Sequence, residues 1–86
     1  MFVYSYYNRK VGVYQDPQLQ PVAKDILPKL VQRSVVLNPQ QAEKDHMYEC
    51  DLFYLGTFDE EQGTFDLLPK PEFLCSFANL EVNHDA

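Results

Sequence analysis

An α+β fold is predicted by three features of this 86-residue sequence: two β-hairpins forming one antiparallel sheet, with one amphipathic helix packed on one face. The segment Asp51 to Phe65 reads DLFYLGTFDEEQGTF, two aromatic and branched arms around Asp59-Glu60-Glu61-Gln62-Gly63. Asp there opens a turn and Gly closes it with φ > 0. From Phe2 to Tyr7 nearly every residue favours strand. Between the two stretches, Ile26, Leu27, Leu30, Val31 and Ser34 recur at spacings of three and four, the period of a helix.

Taken in order, strand alternation puts Phe2, Tyr4 and Tyr6 on one face and Val3, Ser5 and Tyr7 on the other. Asn8-Arg9-Lys10 is a polar turn, and Val11 to Gln15 returns as a short second strand in which Gly12 marks a bulge or a close backbone approach. Asp16 to Pro21 is an extended connection, because each Pro removes a ladder donor and biases its predecessor away from helix. The helix starts with Asp25 as N-cap, carries Pro28 in its first turn and ends near Leu37, before Asn38-Pro39. Gln40 to Glu49 reads as a loop or a short helical turn. In the second hairpin, Leu52, Tyr54, Gly56 and Phe58 share one face, with Phe53, Leu55 and Thr57 on the other. One face meets the helix; the other is covered by Glu72 to Leu80 or is a contact surface. One domain over residues 1–80 and a polar tail over 81–86 account for the whole length, since a chain this small buries only roughly 60–65% of its unfolded surface.

Composition narrows the function. With 45% hydrophobic and 14% aromatic residues the chain is globular, and a unit of this size gains by pairing with a copy of itself, so a homo-oligomer is expected. The net charge of −6 opposes a wrapping contact with a phosphate backbone, so any nucleic-acid role has to be local. Arg9-Lys10 and the pair Lys29 and Arg33 are the closest basic groupings, and both read as solvated surface before they read as a binding patch. Cys50 and Cys75 have no CxxC spacing, which supports neither a zinc site nor a redox motif and suits a reducing cytoplasm. The start MFVYSYYNRK is too short and Tyr-rich for a secretion signal's apolar core, and no window approaches a membrane span of roughly 18 apolar residues.

No catalytic constellation is present. Asp59 and Glu60 could serve as acid and base, but exposed carboxylates belong in a turn; His46 and His84 lie far apart, with only Asp45 and Glu43 near His46 as metal partners. No phosphate loop, nucleophile elbow or HExxH pattern occurs, so no enzyme, metal or cofactor is expected. Tyr4, Tyr6, Tyr7 and Tyr14 offer flat rings on which single-stranded bases stack, with Arg9 and Lys10 beside them; the same rings could instead fill the core or a dimer interface.

Tyr4 to Tyr7 before a polar turn and Gly12, Asp25 opening the helix, Asn38-Pro39, the run Asp51 to Asp59 with its following Gly63, and Pro71-Glu72 together resemble a known family. It is the small nonstructural protein of gokushovirus-type microviruses, single-stranded DNA phages of bacteria. The resemblance implies a non-enzymatic accessory role in phage DNA replication, as a single-stranded DNA-binding factor in the switch to single-stranded genome synthesis, working in the cytoplasm of the bacterial host. It carries no catalytic residues with it. The expected nucleic-acid contacts are Tyr4, Tyr6, Tyr7 and Tyr14 for stacking, with Arg9, Lys10, Lys29 and Arg33 for phosphates. The acidic charge keeps an alternative open, a dimerising adaptor to the replication initiator, a host replication protein or the capsid precursor, with no DNA contact.

Overall fold

Five strands and three helices build the chain in the computed structural model, which describes residues 1–82. The strands are β1 (Phe2–Asn8), β2 (Val13–Tyr14), β3 (Gln18–Gln20), β4 (Cys50–Asp59) and β5 (Thr64–Ser76); the helices are α1 (Leu27–Leu37), α2 (Gln41–Tyr48) and α3 (Ala78–Val82). All pairings are antiparallel in the order β2-β1-β4-β5, with β3 also on β1. β1 and β4, one from each hairpin, are therefore neighbours, and the α+β architecture expected from the sequence is present.

Both hairpins turn on the same grammar. Asn8 Oδ1 accepts from the backbone N–H of Lys10 and Val11, and Gly12 N–H closes onto Asn8 O with φ +76°. Asp59 Oδ1 accepts from Glu61 and Gln62, and Gly63 N–H closes onto Asp59 O with φ +70°. An Asx side chain satisfies the donors of the turn, and the glycine takes the left-handed closing position. Gly12 is thus a turn closer and not a bulge within the strand. The returning strand of the first hairpin is broken in two, β2 and β3, because Pro17 has no N–H for β1; the stretch expected to be a bare connection carries β3.

The helical layer differs from expectation in three ways. α1 begins at Leu27 with Ile26 as N-cap, since the N–H groups of Ile26 and Leu27 both close onto Ala23 O; Asp25 lies in that turn and does not cap. Pro28 falls in the first turn, where its missing N–H is harmless. Gln40 to Glu49 contains a true helix, α2, supported by Gln41 Nε2 donating to Asp45 (2.8 Å) and by Asn38 Nδ2 donating to Glu43 (2.8 Å). Glu72 to Ser76 belongs to β5 instead of covering the sheet, and α3 takes in the first two residues of the expected tail, of which residues 83–86 lie outside the described residues.

The core is one cluster of Tyr4, Leu27, Val35, Tyr48, Cys50, Leu52, Tyr54 and Phe77, with Phe2, Tyr6, Val31, Met47 and Leu80 packed against it. Every helix contributes to that cluster, so all three lie on the side of the sheet that carries Tyr4, Leu52 and Tyr54. α1 packs through Leu27, Val31 and Val35, whereas Ile26 and Leu30, expected in the buried stripe, are about half exposed.

A bulge in β4 resets the pattern of faces. Tyr4 pairs with Tyr54 but Val3 pairs with Gly56, leaving Leu55 as an extra residue. Directly paired residues share a face, so beyond the bulge Gly56 joins Val3 and Thr57 joins Phe2. Phe58, with its partner Phe65, and Leu67 opposite Gly56 consequently come onto the face away from the helices. Strict alternation had placed Phe58 beside Leu52 and Tyr54; the single extra residue sends it to the other side.

Candidate nucleic-acid interface

The sheet face opposite the helices carries a patch of four rings drawn from four strands. Tyr14 on β2 stands opposite Tyr7 on β1, and Phe53 on β4 stands opposite Phe73 on β5. Ring centroids are 4.9 Å apart for Tyr7 and Tyr14, 6.2 Å for Tyr7 and Phe53, 5.4 Å for Tyr14 and Phe53, and 5.7 Å for Phe53 and Phe73, with tilted or edge-to-face geometry. Such pairs hold one another in place, each contributing about 0.5–1.5 kcal/mol beyond simple burial. Tyr7 and Phe53 are half-buried at the centre, while Tyr14 is 46% and Phe73 56% exposed. The result is a rigid aromatic platform with two open ends.

The eight residues expected to touch nucleic acid do not gather on this face. Tyr4 is sealed in the core, its hydroxyl donating to Val22 O at 2.6 Å, and burial pushes its pKa up to about 12, aided by Tyr54 and Asp25. Tyr6 packs against Phe77 at 5.9 Å on the helix side, where burial likewise raises its pKa. Lys29 and Arg33 project from α1, on the far side of the sheet from the platform. Tyr7 and Tyr14 remain, joined by Phe53 and Phe73. Alternation grouped Phe53 with Leu55 and Thr57 but left open which face meets the helices; Phe73 was hidden because its strand was read as a covering segment.

Arg9 and Lys10 flank the platform from the turn after β1, but neither is a bare cation. Arg9 Nε lies 3.0 Å from Asp51, the cross-strand neighbour of Tyr7, and its Nη2 donates to Tyr48 O. Lys10 lies 3.6 Å from Glu49 and keeps three-quarters of its side chain exposed. An incoming phosphate would compete with two carboxylates. Lys24, whose ammonium sits 5.0 Å from the Tyr54 ring centroid and is held above the ordinary lysine range by Glu72, belongs to the helix side.

Other groups are chemically quiet. Burial raises the Cys50 thiol and pushes Cys75 up to about 11, which keeps both protonated and weakly nucleophilic near neutral pH. His46 Nε2 lies 2.6 Å from the side-chain nitrogen of Gln15, and Asp59 is occupied by its own turn. Among the described residues, no three His, Cys, Asp or Glu side chains are grouped so as to hold a metal ion, and no helix is long and apolar enough to cross a membrane.

No curated protein and no solved structure matches the sequence. One family model does, that of the phage ORF5 protein, and it aligns with residues 1–80. That range takes in both hairpins, the whole sheet and the aromatic platform. This chain is a member of the phage ORF5 protein family.

Proposed function

We propose that this phage protein is a non-enzymatic binding factor for single-stranded DNA, acting in phage genome replication through base stacking on the platform of Tyr7, Tyr14, Phe53 and Phe73. The carrying observation is the platform itself: four rings fixed by mutual contact on a face turned away from every helix, with Tyr14 and Phe73 open at its ends. Single-stranded bases expose both π-faces and stack on such rings at roughly 1–3 kcal/mol per base with little regard to sequence. The acidic net charge is compatible with this mode, because stacking places bases against the sheet and requires few phosphate contacts.

The competing reading is a protein adaptor that uses the same face for the replication initiator, a host replication protein or the capsid precursor. It is favoured by the carboxylates already paired with Arg9 and Lys10. Titrating a thymidine oligomer into the protein at several salt concentrations separates the two, with tyrosine emission as the signal, since the chain contains six Tyr and no Trp. At most two phosphates meet Arg9 and Lys10, so the logarithm of affinity should fall with the logarithm of salt at a slope no steeper than about −1.4. A slope of −4 would mean that backbone contact dominates, and no quenching at any salt would leave the adaptor.

A further inference from the structure

α1 carries a second stripe that the fold does not use. Ile26, Leu30, Arg33 and Leu37 follow one another at spacings of four, three and four along the outer side of the helix, and the three apolar members are 53%, 50% and 68% exposed. Arg33 lies within this strip and Lys29 beside it. Neither has an ion-pair partner among the described residues, and α1 contains no acidic residue. A helix with apolar stripes on opposite sides buries one in its own core and offers the other to a partner.

The opposite character sits at the far end of the molecule. Beyond the bulge, β4 and β5 run out as an arm that bears exposed Phe65 (57%) and Leu67 (56%), with Asp59, Glu60, Glu61 and Asp66 around its tip. No Lys or Arg occurs between residues 51 and 69. The body is 47 Å long but only 24 and 19 Å across, so the arm reaches out to where a neighbour can receive it.

We propose that the outer stripe of α1 is the docking site for the hairpin arm of a second copy, and that two copies exchange arms about a two-fold axis. Phe65 and Leu67 meet Ile26, Leu30 and Leu37, while Glu60 and Glu61 face Lys29 and Arg33. The contact pairs apolar with apolar and acid with base, and reciprocity closes it as a dimer instead of a fibre. Local complementarity is what lets two chains of charge −6 associate. The aromatic platform takes no part, so this dimer and the DNA-binding reading stand or fall separately.

A charge-exchange experiment on the full chain tests it, read by sedimentation equilibrium. The wild type should have twice the mass of the chain. Lys29→Glu/Arg33→Glu and Glu60→Lys/Glu61→Lys should each sediment at monomer mass while keeping the wild-type circular dichroism, because all four residues are exposed and the one ion pair that any of them makes among the described residues, Glu60 to the Met1 ammonium, is long at 3.8 Å. An equimolar mixture of the two variants should recover the dimer mass, since the acidic helix of one then meets the basic arm of the other and the second contact is native. A monomeric wild type, a variant that still dimerises, or a mixture that stays monomeric would each overturn the proposal. Carbodiimide coupling of the wild type provides a check that needs no variant: a Lys29 to Glu60 or Glu61 cross-link between chains is expected, and dimers cross-linked elsewhere would contradict the arm exchange.

Discussion

Replacing Gly56 with alanine is expected to cost about 3 kcal/mol or more and to lower the melting temperature by at least roughly 12 °C. A Cβ at this position would stand 2.3 Å from the carbonyl oxygen of Asp66 and 2.8 Å from the Cα of Leu67, and both obstacles are backbone. The φ of +145° adds strain for any L side chain. The two arms of the hairpin would have to separate at the bulge, where register is decided, and with register lost Phe58, Phe65 and Leu67 have no fixed face. A domain of this length has only roughly 4–13 kcal/mol of stability, so the loss is a large fraction of the whole. Gly63→Ala is the matched control: its φ of +70° is also left-handed, but nothing lies within 4 Å of the added methyl, so about 1 kcal/mol is expected. Thermal melts of the two variants decide the matter, and equal melting temperatures would show that the close approach at Gly56 is not what fixes the hairpin.

The second large effect concerns binding. Tyr14→Ala and Phe73→Ala should each weaken single-stranded DNA affinity by about 5- to 150-fold, the span of one lost stacking contact. Each also removes ring contacts with its neighbours, at about 1 kcal/mol of stability, which leaves the protein folded at room temperature. Tyr14→Phe separates stacking from hydrogen bonding, because it keeps the ring and should keep the affinity. Tyr54→Phe, on the helix side, should leave binding untouched. A titration in which Tyr14→Ala and Phe73→Ala bind as tightly as the wild type removes the platform from the site.

The contrast between what the sequence disclosed and what it concealed follows from the range of the interactions involved. Both turns were readable because their determinants are local: Asn8 and Asp59 satisfy donors two and three residues ahead, and Gly63 closes the second loop; Gly12, expected to mark a bulge or a close backbone approach, closes the first in the same way. The grouping of Phe2, Tyr4 and Tyr6 on one face of β1 was readable for the same reason, but not that this face is the one the helices cover. The site was only half readable. Tyr4 looks like Tyr7 in composition, and only the position of the helices determines that one ring is sealed and the other open. Nothing in the run Leu52 to Phe58 announces the extra residue Leu55; the bulge arises where β4 must pair with β1 and β5 at once. In α1 the spacing was correct and the stripe only partly so: Leu27 and Val31 pack against the sheet as expected, joined by Val35, whereas Ile26 and Leu30 turn outward. Arg9 looked solvated because its partners, Asp51 and the carbonyl of Tyr48, are about forty residues away in sequence.

The central claim is that bases lie on the open face of the sheet, and the ring-proton NMR spectrum of the protein with and without a thymidine oligomer tests it most directly. Stacked bases should move the signals of Tyr7, Tyr14, Phe53 and Phe73 while those of Tyr4, Tyr6 and Phe77 stay in place. Shifts confined to α1 or to the hairpin arm, or a spectrum unchanged at saturating oligomer, would contradict it.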